Sequence, residues 1–444
     1  MTGVPEAWYN LLADLSFGIP EDVPSPLAPP VQFTLDLPAE MQRQQTLTSQ
    51  RWVPVPDQVR RLYEQWRPAP LRRAHEFERV LGTRCAIYYK YEGGNVSGSH
   101  KLNTAIAQAY YYKQAGATRL TTGTGAGQWG TAVAAACSML GMDCRVYMVR
   151  SSYHSKPYRK TIMEMLGATV LPSPSDATEV GRLLLAEDPE HHGSIPIASA
   201  EAIETTGESG TYFSTGSSET YALLHQTVTG VEAQQQMADA GDEPDVIVGS
   251  LGGGSGLAGL MAPFIGAMAR GERSVRCVSV EPAACPKLTR GRYVYDFSDS
   301  SGLMPMQKMY TLGYTFEVPP IHAGGLRYHG TAKLISALYH HKLMDAAAYP
   351  QRAVFDTAVA FAKAEGVVPA PESAHALHGA AVEARRADEE GQSRCILVGI
   401  SGHGLFDMAA YESYHAGTMV DSSATEEQIA DSLARIPQQP EEAA

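Results

Sequence analysis

Val246-Ile247-Val248-Gly249-Ser250-Leu251-Gly252-Gly253-Gly254-Ser255-Gly256 runs from a β-branched apolar segment straight into a glycine cluster. A buried strand over 246–248, a tight turn and a helix over 257–269 account for this stretch. Units of that kind build parallel sheets covered by helices. The rhythm recurs along the chain. Strands are predicted over 86–91, 119–122, 145–149, 275–280 and 394–400, and helices over 103–114, 128–140 and 158–166, the last stopped by Gly167. The fold class is therefore α/β, with mostly parallel sheet and helices on both faces.

Ligands in open α/β sheets bind beyond the carboxyl ends of the strands. Three loops occupy such places: Gly123-Thr124-Gly125-Ala126-Gly127-Gln128, Gly252 to Gly256, and Ser401-Gly402-His403-Gly404. Taken alone, the triple-glycine turn is also compatible with a tight connection that binds nothing. It follows a strand and opens a helix, however, so its N–H groups and the helix dipole both face an anion. G-x-G-x-x-G spacing is absent, and no acidic residue stands at a strand end for a ribose, so a monophosphate fits better than a dinucleotide.

Upstream, Gly94-Asn95-Val96-Ser97-Gly98-Ser99-His100-Lys101 places a lysine behind a flexible, hydroxyl-rich loop. A poised amine and a phosphate cup in one chain suggest pyridoxal 5'-phosphate, held as an imine on Lys101 and anchored through its ester. That chemistry needs a desolvated lysine whose neutral form is accessible near neutral pH. Each piece has a plainer reading: Lys101 as a solvated surface lysine, Ser401 as a turn cap rather than a partner for a heteroaromatic nitrogen. For Glu372, in Pro369-Ala370-Pro371-Glu372-Ser373-Ala374-His375, a helix N-terminal carboxylate is the reading the residues alone favour.

The 444 residues suffice for two or three domains, and 44% apolar with 19% charged residues is ordinary for a soluble protein. A formal charge of −13 argues against nucleic acid or an anionic membrane as the main partner. Six cysteines (Cys85, Cys137, Cys144, Cys277, Cys285, Cys395) form no C-x-x-C pair and no zinc-like spacing with histidine, so no metal site and a reducing, cytoplasmic setting are expected. Met1-Thr2-Gly3-Val4-Pro5-Glu6 does not read as the start of a signal peptide. Residues 246–269 are uncharged over a membrane-like length, but clustered glycines and Pro263 divide them, and no membrane span is predicted.

The order of Ser99-His100-Lys101-Leu102-Asn103, Thr124-Gly125-Ala126-Gly127-Gln128-Trp129-Gly130, the Gly252 loop, Pro371-Glu372-Ser373-Ala374-His375 and Ser401-Gly402 resembles the tryptophan synthase β-chain family. Arg67-Pro68-Ala69-Pro70, Lys156-Pro157-Tyr158-Arg159 and Pro320-Ile321-His322-Ala323-Gly324-Gly325-Leu326-Arg327-Tyr328-His329-Gly330 resemble its second, longer type. The likeness runs from about residue 60 to 415.

The resemblance implies a fold type II pyridoxal-phosphate enzyme with two open, mostly parallel sheets. Residues 1–66 would be an extension packed on the core and 100–225 an N-terminal domain, whose segment 116–205 closes over substrate. Residues 67–99 with 226–420 would form the cofactor-phosphate domain, and 421–444 a tail. Lys101 would carry the aldehyde and move protons at the substrate Cα. His100 and the amides of Gly252, Gly253, Gly254 and Ser255 would bind the phosphate, Ser401 would face the pyridine nitrogen, and Glu372 would sit beside the cofactor. The amides of Thr124, Gly125, Ala126, Gln128 and Trp129 would cradle the substrate carboxylate, with Gln128 near the ring oxygen. The implied reaction is β-replacement on L-serine or an O-activated serine through an aminoacrylate. A homodimer is the default assembly, and the longer type is less suited to an α-chain partner.

Three positions depart from the family pattern. A glutamate usually precedes Thr-Gly-Ala-Gly-Gln, and here that position is Gly123. Loss of a positioned acid or base costs about 10²–10⁴ in rate. Glycine is also expected to remove volume and negative charge on the nucleophile's side, which points away from indole and towards a phenol, another aromatic carbon or a heteroatom nucleophile. Gly256 replaces the usual asparagine of the phosphate loop, and Glu219 in Ser214-Thr215-Gly216-Ser217-Ser218-Glu219 is a candidate substitute for the missing carboxylate. The competing activities are an ordinary tryptophan synthase, a serine or threonine dehydratase-like deaminase and, in another class, a cofactor-binding regulatory subunit.

Overall fold

A computed structural model describes residues 3–27, 35–216, 218–299, 302 and 304–437. Ser217 and the terminal Pro-Glu-Glu-Ala-Ala lie outside these residues. Two open sheets carry the architecture. The larger has six strands in the order Asp345–Tyr349, Arg276–Pro282, Val246–Ser250, Cys395–Ile400, Ala86–Tyr91 and Leu71–Arg73, all parallel except the last, antiparallel pair. The smaller orders Thr169–Ser173, Asp143–Val149, Arg119–Thr124 and Thr211–Phe213, all parallel.

The apolar run at 246–248 is explained by cover on both sides, because successive strand residues face opposite ways. Val246 and Val248 meet Leu377, Ala380 and Ala384 of the helix Pro371–Glu389. Ile247 meets Leu260, Met261 and Phe264 of the helix Ser255–Ala269. In the smaller sheet Val146 and Met148 join the core formed with the helices Lys101–Gln114 and Gln128–Leu140. On its other face Tyr147 and Val149 pack on Ala198 and Ala202 of the helix Ile195–Glu204.

Strands Leu71–Arg73, Thr169–Ser173, Thr211–Phe213 and Asp345–Tyr349 carry no sequence signal strong enough to predict them. Two have three residues, one has a proline at a sheet edge, and Asp345-Ala346-Ala347-Ala348-Tyr349 lacks β-branched residues. The strand at 119 continues to Thr124, so Gly123 belongs to the sheet rather than to the loop.

Upstream of the sheets, Ala7–Tyr9 pairs with Trp52–Pro54, and Trp8, Met41, Val53, Val59 and Tyr63 enter the core of the Lys101–Gln114 helix. Thr425 and Gln428 make a reciprocal capping box and start the helix Glu426–Ala434. All six cysteines are unpaired and five are buried. Among the described residues no helix is long and apolar enough to cross a membrane.

A dry charge network lies beneath the start of the Lys101–Gln114 helix. Arg67 pairs with Glu92 and with Glu232, each at 2.7 Å, and its Nε donates to Asn103 Oδ1 at 3.2 Å. Lys90 Nζ donates to Glu232 at 2.7 Å and to the Ala69 carbonyl at 2.6 Å. Burial alone would push the Glu92 carboxyl up, but Arg67 and Lys90 hold it below the usual carboxylate range.

Candidate functional site

Lys101 is the first residue of its helix, and the loop before it is stitched to the end of the strand Cys395–Ile400. The His100 N–H donates to the Ser401 carbonyl at 2.9 Å, and Ser99 bridges Gly402. The Ser401 hydroxyl lies 2.9 Å from the Ser373 hydroxyl, so its partner is neutral. Desolvation pushes the Lys101 amine down from its ordinary range; Glu372 opposes the shift and Arg159 adds to it. The residue nevertheless keeps partial exposure. An amine in such a place reaches its neutral, nucleophilic form near neutral pH.

Two helix N-termini converge on this lysine. At the first, Gly254 precedes Ser255–Ala269 with φ +112°, a conformation a side chain would strain. The N–H groups of Gly252, Gly253 and Gly254 have no acceptor among the described residues. His100 lies over Gly256, where a Cβ would sit 3.0 Å from the imidazole. The departure from asparagine at 256 thus has a steric partner in the histidine ring. Burial, with Lys101 as a like-charged neighbour, pushes His100 down to about 3. Its Nδ1 and the Ser99 hydroxyl are buried without a partner among the described residues, which is costly unless a ligand completes them.

At the second N-terminus Gly125, Ala126 and Gly127 likewise leave their N–H groups without an acceptor, while Thr124 Oγ1 accepts from Gly130 N at 3.2 Å. The Trp129 side chain turns away, donating to Thr122 Oγ1 at 2.9 Å, so only its backbone faces the site. Gln128 Nε2 donates to Glu372 Oε1 at 2.9 Å, and Gly325 N donates to the same oxygen at 2.7 Å. Desolvation raises the Glu372 carboxyl, Asp407 adds to this, and the Gly325 N–H opposes it. Lys156 reaches Asp407 at 2.6 Å and Arg159 reaches it at 3.4 Å, tying residues beside the Gly127 turn to the 401–407 loop.

Position 123 requires a correction. Glycine was expected to leave free volume, yet a Cβ there would lie 2.6 Å from Ser199 N and 2.7 Å from the Ala198 carbonyl carbon. The helix Ile195–Glu204 packs its backbone against the strand here, and the side chain of Ile195 covers Gly125. Gly123 is therefore a close-packing glycine. Gly123→Ala is expected to destabilise the protein by about 1–3 kcal/mol, the usual cost of overpacking, read as a lower urea midpoint. An unchanged midpoint would show the helix to be free to retreat.

Glu219 is turned towards the N-terminal segment, where it accepts from Gln45 Nε2 at 2.6 Å; no contact of it with Lys101, Gln128 or Glu372 is present among the described residues. Residues that carried no assigned role now acquire one. Gly324 and Gly325 touch Ala126, Gly252 and Glu372 together. In the sequence they appeared only within the Pro320 to Gly330 stretch that resembles the longer family type, with no role attached.

A family profile described as "Pyridoxal-phosphate dependent enzyme" matches residues 62–402. "Tryptophan synthase beta chain 2" of Thermococcus kodakarensis is 50% identical over 430 residues, covering 94% of this chain and 95% of its own. The protein of the same name from Aeropyrum pernix is 51% identical over 429 residues, covering 94% of both. Among solved structures, a fungal L-serine ammonia-lyase from Rhizomucor miehei superposes with a TM-score of 0.59 at 16% identity, over 79% of this chain and 98% of that one, a likeness of fold alone. Unspent amides at 252–254, the orphaned His100 Nδ1 and a desolvated Lys101 fit the phosphate and aldehyde ends of that cofactor.

Proposed function

The chain belongs to the pyridoxal-phosphate dependent enzymes of fold type II, in the tryptophan synthase β family, and from that premise we propose that it replaces the β-hydroxyl of L-serine, or the activated oxygen substituent of an O-activated serine, with a nucleophile other than indole. Bound pyridoxal phosphate supplies an electron-withdrawing ring that makes Cα deprotonation and loss of the β-substituent possible. Lys101 would hold its aldehyde end, His100 and the amides of Gly252, Gly253, Gly254 and Ser255 its phosphate, and the Ser401 hydroxyl its ring nitrogen. A neutral hydroxyl there does not demand a protonated ring, which favours reaction at Cβ over transamination.

The amine of Lys101 would take and return the Cα proton, which its desolvation supports. The amides of residues 125–129 orient the substrate carboxylate, and Gln128, tied to Glu372, limits how that end can rotate. Gly123 is the observation that carries the choice of nucleophile. Backbone atoms of Ala198 and Ser199 occupy the position where a side chain would begin. No carboxylate there can steady the positive charge that grows on an indole nitrogen during attack. A phenol attacking as its phenolate, or an anionic heteroatom nucleophile such as a thiolate, makes no such demand, and a phosphate leaving group removes the need for an acid.

Products from serine and O-phosphoserine, each with indole and with a panel of phenols and heteroatom nucleophiles, are to be identified by mass spectrometry. The expected result is a β-substituted alanine from a non-indole nucleophile, with indole turning over at least about 10²-fold more slowly. Faster turnover with indole would return the protein to ordinary tryptophan synthesis. Keto acid in every reaction, whatever the nucleophile, would assign a deaminase.

A further inference from the structure

Lys287 is fully buried, with 0% of the residue exposed. Its Nζ donates to the carbonyls of Tyr328 at 3.0 Å and Leu326 at 3.3 Å, and lies 3.9 Å from Cys285 Sγ. No carboxylate pairs with it among the described residues. The nearest acidic neighbour, Glu281, acts through its field while accepting from Leu288 N, Thr289 N and Thr289 Oγ1. A buried lysine without an ion pair is costly unless its surroundings replace its hydration. Here neutral backbone oxygens do so, which is how proteins strip and hold a monovalent cation.

The nest belongs to the turn that organises the site. Gly325, next to Leu326, donates to Glu372 at 2.7 Å. The carbonyl oxygen of Gly325 packs on Gly252 of the phosphate cradle, and Gly324 touches Ala126 of the carboxylate loop. One ammonium therefore holds the carbonyls of a turn that meets both cradles and the buried glutamate.

We propose that Lys287 is a tethered monovalent cation: a positioning residue whose ammonium occupies a carbonyl nest at Leu326 and Tyr328 and makes the enzyme independent of dissolved cations. Truncating the side chain converts the nest into a site for ammonium or potassium. This holds whichever nucleophile the enzyme uses, because it concerns the geometry of Glu372 and the two cradles.

The test compares wild type, Lys287→Ala and Lys287→Met as holoenzymes in tetramethylammonium, ammonium and potassium chloride at equal ionic strength. Turnover of serine and the thermal midpoint are both recorded. Wild type is expected to give the same rate and midpoint in all three salts. Lys287→Ala is expected to be about 10- to 100-fold slower in tetramethylammonium, the scale of a small misplacement of catalytic groups. Ammonium or potassium should restore both its rate and its midpoint. Lys287→Met fills the nest with an apolar chain and should be slow in every salt.

An alanine variant that behaves alike in all three salts makes Lys287 an ordinary strut and overturns the proposal. So does a wild type activated several-fold by potassium or ammonium, a comparison that decides the matter even where a variant fails to fold. Failure of the nucleophile assignment would change the products and leave these salt effects untouched.

Discussion

A Lys101→Ala variant is expected to lose β-replacement by more than about 10⁴-fold, because in the proposed assignment one side chain would both hold the cofactor and move the proton at Cα. Desolvation pushes its amine down at the amino end of a helix, near two loops whose amides lack acceptors among the described residues. Lys101→Arg is expected to be equally inactive, since a guanidinium stays protonated and cannot form the covalent link. Single-turnover measurement with serine, alongside far-ultraviolet circular dichroism to show that the fold is kept, checks both. Loss of the cofactor's visible absorbance in the alanine variant should accompany the loss of rate. Turnover within about 100-fold of wild type would place the essential amine elsewhere.

Arg67→Ala is expected to be the most destabilising single change described here, at about 3–5 kcal/mol. The guanidinium side chain is fully buried and serves Glu92, Glu232 and Asn103 at once. Its removal leaves two buried carboxylates facing the single ammonium of Lys90. Such a loss is a large share of the 5–15 kcal/mol that typically separates folded from unfolded chains. Urea unfolding should show a lower midpoint at unchanged slope. Arg67→Lys should recover part of the loss, since it restores charge without the two-pronged geometry. A midpoint shift worth less than about 1 kcal/mol would mean that water enters the network and solvates it.

Asn103 connects this network to the site, for it stands two residues beyond Lys101 in the same helix. Its Nδ2 donates to Glu92 Oε2 at 3.2 Å and to Gln226 Oε1 at 3.1 Å. Arg67 was visible in the sequence as part of a hallmark tetrapeptide, but its partners were not. Glu92 and Glu232 lie far from it in the chain and look like any surface glutamate until the fold buries them.

Much of the site was legible because its signals are local. A β-branched run ending in glycines and followed by a small-residue helix specifies a strand, an amide cradle and a helix dipole within a dozen residues. Lys101 and Ser401 were candidates from such stretches, whereas the roles of His100, Gln128 and Glu372 came from the family resemblance; the fold pairs Gln128 with Glu372 and His100 with Ser401. Glu219 was named on charge alone and lies with Gln45 instead. Charge without a neighbouring structural motif carries no address.

The amino-acid sequence by itself determined the α/β class and marked out the proposed anchoring lysine and the glycine loops proposed to cradle the two ends of the ligand. Strand periodicity, glycine turns and helix caps act over a few residues and leave their mark in the order of the chain. Only the tertiary structure decided what lies against Gly123 and what Lys287 holds. The first is the backbone of the helix Ile195–Glu204, and the second is a pair of carbonyls on a distant turn. Backbone atoms have the same chemistry in every residue, so a packing partner or a nest made from them has no sequence signature until folding brings it into place.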